Sequence, residues 1–140
     1  MKILNQAARY IDAVLFAVFG AFVISRRDYG ARFAIGMAIA VFGIALWAVA
    51  RVQLGSSFAV TAQAKKLVTT GLYSRIRNPV YFFGGTGYLG LFIAVGNWPA
   101  LAIFFLLFFS YQIPRVKKEQ KVLEQAFGDE YRRYKASTWF

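Results

Sequence analysis

The sequence contains no cysteine and no histidine. These absences exclude disulfides, a thiolate nucleophile, imidazole acid–base catalysis, and any haem or zinc site built on imidazole. Acidic residues are few, six against seventeen Lys and Arg, and no metal site is expected from them. Chemistry in this chain must therefore rest on Arg, Lys, Tyr, Asp, Glu, Asn, backbone groups or a cofactor. Proline is rare too, with three in 140 residues. Two of them, Pro79 and Pro99, follow Asn78 and Trp98 where apolar runs begin. There the missing N–H costs a helix nothing.

What is abundant is apolar surface. Hydrophobic residues make up 59% of the chain and aromatics 19%, including fifteen phenylalanines, far beyond a soluble domain of this length. The composition indicates an integral membrane protein with a single domain over residues 1–140. The N-terminus shows no short apolar region ending in a small-residue cleavage site, so no cleavable signal is expected. A net charge of +11 would suggest nucleic acid on a soluble protein. Here the basic residues gather at the ends of apolar runs. That pattern points to anionic lipid headgroups and the positive-inside rule rather than to a nucleic-acid partner.

Four apolar runs cover 10–25, 33–50, 79–96 and 98–113, each about 16 to 18 residues, at the short end of what crosses a hydrocarbon core of about 30 Å. The expected fold is all-α and multi-pass, with about four transmembrane helices. Two of these lie in residues 1–52; a connection, a helical hairpin and an amphipathic C-terminal segment occupy 53–140. Arg9 and Asp12 press on the start of the first helix. If the Gly96-Asn97-Trp98-Pro99 turn is outside, only Arg26, Arg27 and Arg32 of the seventeen basic residues are outside with it, and both termini are cytoplasmic. In a bacterium the protein would sit in the inner membrane.

Small residues mark close helix approach. Gly36, Ala40 and Gly43 line one side of the second helix, and Gly84, Gly87 and Gly90 recur in the third. The alternative is that the third helix leaves room for a ligand along that side. The connection 53–78 exceeds the ~12 to 15 residues usual for structureless loops. Being rich in Leu, Val, Phe and Tyr, it is expected to be an ordered loop at the interface. Near the C-terminus Val116, Leu123, Phe127, Tyr131 and Tyr134 share one helical face, with Lys117, Lys118, Lys121, Gln125, Arg132 and Arg133 opposite. Gly128 can end that helix and Asp129 can cap a second short one. Such a segment suits a position on anionic lipid.

The stretch 71–81 is the most informative. Asn78 before Pro79 reads as a helix N-cap, and Arg75 and Arg77 stand just outside it. The free N–H groups, the positive dipole end and two fixed charges make a place for a carboxylate or phosphate. The motifs Gly71-Leu-Tyr73, Arg77-Asn-Pro-Val-Tyr81, Arg115-Val-Lys-Lys-Glu119-Gln120-Lys-Val-Leu123 and Phe127-Gly-Asp-Glu-Tyr131-Arg-Arg-Tyr134 follow in order, with Trp139 near the end. In this order they resemble the isoprenylcysteine carboxyl methyltransferase family and the related phospholipid methyltransferases, from about Leu54 onward. Two positions depart from the family pattern: Asn78 stands for its His, and Gln120 for the second Glu of a pair. Asn keeps a donor–acceptor amide but carries no proton at neutral pH, and Gln keeps the shape of Glu without its charge.

The resemblance implies an S-adenosylmethionine site and a lipophilic or lipidated substrate entering from the bilayer. By motif position Tyr73, Arg77, Asn78, Pro79, Val80 and Tyr81 would take the cofactor's methionine end. Arg115, Glu119, Gln120, Tyr131 and Tyr134 would close the pocket from the other side. Methyl transfer is an in-line displacement that demands alignment and desolvation more than strong acids. A carboxylate acceptor is ionised at neutral pH and needs no general base. Arg77, Arg115 and Glu119 are accordingly the candidate catalytic residues, Arg77 or Arg115 for the acceptor carboxylate and Glu119 for the cofactor's amino or ribose groups.

Singly, each of these residues has an ordinary alternative as a positive-inside anchor, an interfacial tyrosine or half of a surface ion pair. Three rival functions share the composition. A non-catalytic lipid- or nucleotide-binding member of the same fold would follow from Asn78 and Gln120. A membrane reductase would share only the C-terminal end. A small four-helix transporter would need an acid within the membrane, and no acid lies in the second to fourth apolar runs.

Overall fold

The computed structural model describes residues 2–26, 29–55 and 67–139, with side chains from Ile11 onward. All regular structure among them is helical. Four α-helices follow one another: α1 (Lys2–Ser25), α2 (Ala31–Leu54), α3 (Pro79–Val95) and α4 (Trp98–Ser137), with a 3-10 turn at Gly71–Ser74 before α3. By length and hydropathy α2 and α4 suffice to cross a bilayer, while Ile11–Ser25 and Pro79–Val95 are shorter apolar stretches. Residues 56–66, the middle part of the expected interface loop with Lys65 and Lys66, lie outside the described residues. So do Arg27, Asp28 and the side chain of Arg9.

Local chemistry sets the helix ends. Helix α2 stops at Gly55, whose φ of 51° suits glycine and whose N–H donates to Arg51 O. Helix α3 stops at Gly96 in the left-handed region, its N–H donating to Phe92 O. Asn97 then caps α4, its Oδ1 accepting from Ala100 N at 3.0 Å. Asn78 holds the N-cap position of α3 as expected, yet its side chain makes no capping bond. Its carbonyl takes the first helical bonds, from Tyr81 N and Phe82 N at 3.1 Å each.

Helices α2 and α3 form the tightest pair. A Cβ at Gly90 would lie against the backbone of Ala40, one at Gly43 against Gly87, and one at Gly36 against Ala94. Main chains thus touch where side chains would normally intervene, the arrangement small residues permit in membrane helices. The seam is completed by buried Leu91 and Ala94. Helix α1 adds buried Phe16, which stacks on Tyr88 at 4.4 Å and meets Trp47 edge-on at 5.2 Å.

Helix α4 does not end near Pro114. It continues as one helix to Gly128, where φ 48° and ψ −119° interrupt it, and resumes to Ser137. A proline inside a helix forfeits one backbone bond and costs about 3 kcal/mol. Here long helical runs flank it on both sides, and Arg115 pairs with Glu119 one turn further on, Nε to Oε1 at 3.2 Å. The amphipathic segment is therefore a direct extension of the hairpin's second arm. Gly128 makes the expected break, and the Asp129 carboxylate accepts from Arg132 at 2.8 Å. The predicted faces hold: Tyr131 and Tyr134 are buried, while Lys117, Lys118, Lys121, Gln125, Arg132 and Arg133 are exposed.

Candidate functional site

Two polar clusters meet where the 3-10 turn, the start of α3 and the latter half of α4 come together. The first centres on Glu119. Its Oε1 accepts from the Tyr81 hydroxyl at 2.7 Å and from Arg115 Nε at 3.2 Å. The Arg115 guanidinium also lies over the Tyr81 ring, 5.3 Å from its centroid. Tyr81 projects from the first turn of α3, and Arg115 and Glu119 share one face of α4 at a spacing of four. This clamp joins two helices that otherwise touch through aromatic side chains.

The second cluster gathers Tyr73, Arg77, Tyr131 and Tyr134. The Tyr134 hydroxyl donates to Tyr73 O at 2.7 Å, and Trp139 N donates to Arg75 O at 2.9 Å. The Arg75 guanidinium lies over the Trp139 ring. The chain beyond Gly128 thus folds back on the turn that precedes α3. That turn is positioned by Gln53 of α2, whose Oε1 accepts from Leu72 N at 2.8 Å. Gly71, at φ 62°, is required there, because a Cβ would strike the Gln53 carboxamide.

Burial governs the protonation of these phenols. It pushes the Tyr134 hydroxyl up to about 12, with Tyr131 adding to the rise and Arg77 opposing it. Burial likewise raises Tyr131, against the pull of Arg77. Tyr73 is raised further by burial, with Tyr134 and Glu119 adding to it. All three are donors at neutral pH and none is a base. Arg77 faces Tyr131 and Tyr134, and its Nε is buried without a hydrogen-bond partner among the described residues. A buried orphan donor on a cation suits a carboxylate that the protein itself does not supply.

Beside the Glu119 clamp a cavity of about 420 Å³ runs between the helices. Its inner wall is apolar and aromatic: Phe16, Trp47, Gly84, Phe104 and Phe108. Its polar end holds Asp12, Tyr81, Gln112 and Arg115. Ile11, Leu15 and Tyr111 also line it, and they are 55%, 49% and 65% exposed, so the cavity opens sideways between α1 and α4. Of the α3 glycines, Gly84 therefore borders the cavity. Gly87 and Gly90 are spent on packing against α2.

The structure brings together Tyr73, Arg77, Tyr131 and Tyr134 on one side, and Tyr81, Arg115 and Glu119 on the other. Pro79 and Val80 are buried between them, Val80 on the cavity wall. Asn78 is half-buried at the helix start. Gln120 is half-buried beside Glu119 and enters no bond with a described residue. Sequence reasoning missed the Arg51–Asp12 pair, Nη1 to Oδ2 at 3.2 Å, which neutralises the one acid in the apolar part of α1. It also missed Gln53, Trp47 and Gln112. A polar residue in an apolar run, as Gln112 is, was the available signal.

Comparison with known proteins identifies the family. The family model for phospholipid methyltransferase matches residues 31–130, from the start of α2 past the Gly128 break. A protein-S-isoprenylcysteine O-methyltransferase of Schizosaccharomyces pombe is 32% identical over 91 residues, 61% of this chain and 39% of that protein. Another of the same name, from Dictyostelium discoideum, is 31% identical over 110 residues, 75% of this chain and 46% of that protein. The chain thus spans under half the length of these curated relatives. The matched region holds the whole Glu119 clamp, the cavity's α2, α3 and α4 walls and the turn that carries Arg77, and the chain belongs to the phospholipid methyltransferase family.

Proposed function

We propose that this protein is an S-adenosylmethionine-dependent methyltransferase of the membrane that O-methylates the carboxylate of a lipophilic acceptor, such as an isoprenylcysteine. The observation that carries this reading is the position of the Tyr81–Glu119–Arg115 clamp between two unlike spaces. One is an apolar cavity open to the side; the other is a cluster with a cation, Arg77, whose Nε has no partner among the described residues. The first suits a lipid chain and the second the carboxylate of a methionine moiety.

The cofactor would supply an electrophilic methyl group on a sulfonium. The residues fitted to hold it are Tyr73, Arg77, Asn78, Pro79, Val80, Tyr81, Gln120, Tyr131 and Tyr134, with Glu119 at the boundary. Arg115 would orient the acceptor carboxylate while Glu119 fixes the guanidinium through its Nε. No general base is needed, because the acceptor is already ionised. That agrees with the absence of histidine and with phenols held protonated. Trp47, Phe104 and Phe108 would exclude water from the reacting carboxylate.

In this reading all four apolar helices cross the bilayer, with both termini cytoplasmic, because the clamp and most basic residues lie at one end of the bundle. The exposed lysines and arginines of α4 would rest on anionic headgroups. S-adenosylhomocysteine is expected to bind the detergent-purified protein in the micromolar range. Methyl transfer from labelled cofactor to N-acetyl-S-farnesylcysteine should fall by roughly tenfold to a hundredfold in kcat/KM for Glu119→Gln or Arg115→Ala, as loss of a charge-assisted bond implies. Unchanged binding and turnover in both variants would overturn the assignment.

A further inference from the structure

One polar group in the cavity is left over by everything above. Gln112 lies on α4 between Phe108 and Arg115, all three facing the same space. Its Oε1 is buried and accepts no hydrogen bond from a described residue. Buried amide oxygens are almost always satisfied, so an orphan at the wall of a ligand cavity calls for a donor from the ligand. The clamp does not use it, and Asp12, the other acceptor at this end, is already paired with Arg51.

We propose that Gln112 determines which head group the cavity accepts, by taking a hydrogen bond from an N–H that neighbours the acceptor's carboxylate. This rests on the methyltransferase reading and on Arg115 as the group that holds that carboxylate. The spacing supports it: three residues along a helix rise about 4.5 Å and return to the same face. A carboxylate at Arg115 and an N–H at Gln112 then belong to one head group, as in an amino acid or its N-acyl derivative. The lipid chain would continue past Phe108 and Phe104 along the apolar wall. A fatty or isoprenoid acid without the N–H would fill the same cavity and leave the Gln112 oxygen unpaired, which is how a site built for a polar group rejects an analogue lacking it.

The test uses the full chain in detergent and two probes, N-acetyl-S-farnesylcysteine and 3-(farnesylthio)propionate. They share thioether, chain and carboxylate, and only the first carries an N–H. Wild type should bind the first roughly fivefold to tenfold more tightly by calorimetry, the size of one hydrogen bond made in place of an orphan. Gln112→Met, which keeps the length and removes the acceptor, should bring the two within about twofold of each other. A wild type that does not discriminate, or a variant that keeps the ratio, overturns the proposal. Methylation of the probes is followed separately. A Gln112-dependent binding ratio without turnover would leave the proposal standing and sink the methyltransferase reading. Turnover without that ratio would sink the proposal alone, and absence of binding by either probe would sink both.

Discussion

Along one side of α3, Gly87 and Gly90 bring its backbone against Gly43 and Ala40 of α2. Along another side α3 meets α4 through rings, Tyr88 to Phe104 at 4.9 Å and Phe92 to Phe104 at 5.0 Å. At Gly36, Gly43 and Gly90 the first interface is main chain against main chain. The second leaves the cavity, with Phe104 and Phe108 of α4 on its wall. The pair α2–α3 is a rigid post, and α4 is an arm hung from it by the short Gly96–Asn97 turn at one end and the Glu119 clamp at the other. The cavity lies on the side where helix contact is made by side chains.

Three substitutions probe this contrast, beginning with the seam. Gly90→Ala puts a Cβ into the Ala40 backbone, which cannot turn aside as a side chain can. It should cost about 3 kcal/mol, at the upper end of overpacking effects, and lower the thermal midpoint of the purified protein by several degrees. A midpoint equal to wild type would mean that the seam is looser than its geometry.

The cavity side should respond in the opposite manner. A Cβ at Gly84 meets only the Trp47 ring, with Cδ1 at 3.3 Å, and that ring can shift. Gly84→Leu should leave stability within about 1 kcal/mol of wild type, helped by better helix propensity than glycine. It should weaken acceptor binding by roughly tenfold or more by filling the space, with S-adenosylhomocysteine binding retained. Loss of both ligands together would merge the two spaces into one site.

The smallest effect lies where the C-terminal chain folds back. Tyr134→Phe removes the bond to Tyr73 O and should cost about 1 kcal/mol. It should also change the alkaline limb of stability. The folded state holds the Tyr134 hydroxyl at about 12 against an ordinary value of 10.0. The stability this contributes is fully present below pH 10 and is lost as pH rises through 12. Wild type should therefore lose stability between those limits in a pH series of thermal melts, and Tyr134→Phe should lose less.

Much of this was legible beforehand, for identifiable reasons. The apolar runs, the Asn–Pro start of α3, the Gly96 stop and the Gly128 break depend on consecutive residues and their intrinsic backbone preferences. They could be read without knowing what lies opposite. The passage of α4 through Pro114, beyond the apolar run, was not legible, because the same local logic ignores what surrounds a proline. Long helical runs on both sides and the Arg115–Glu119 pair outweigh one missing backbone bond. Asn78 shows the converse: its position was right, while its side chain does not cap.

The sequence by itself determined an all-helical chain, its apolar and basic faces, and the family motifs that include Tyr73, Arg77, Tyr81, Glu119 and Tyr134. Only the tertiary structure decided that Glu119 serves Tyr81 from 38 residues away and that Asp12 is spoken for by Arg51, 39 residues away. It alone separated Gly84, on the cavity, from Gly87 and Gly90, on the seam, and left the Gln112 oxygen without a partner among the described residues. Such pairings depend on how each helix is rotated and tilted against its neighbours. That geometry is fixed by the sum of contacts along whole helices, and no local pattern of residues encodes it.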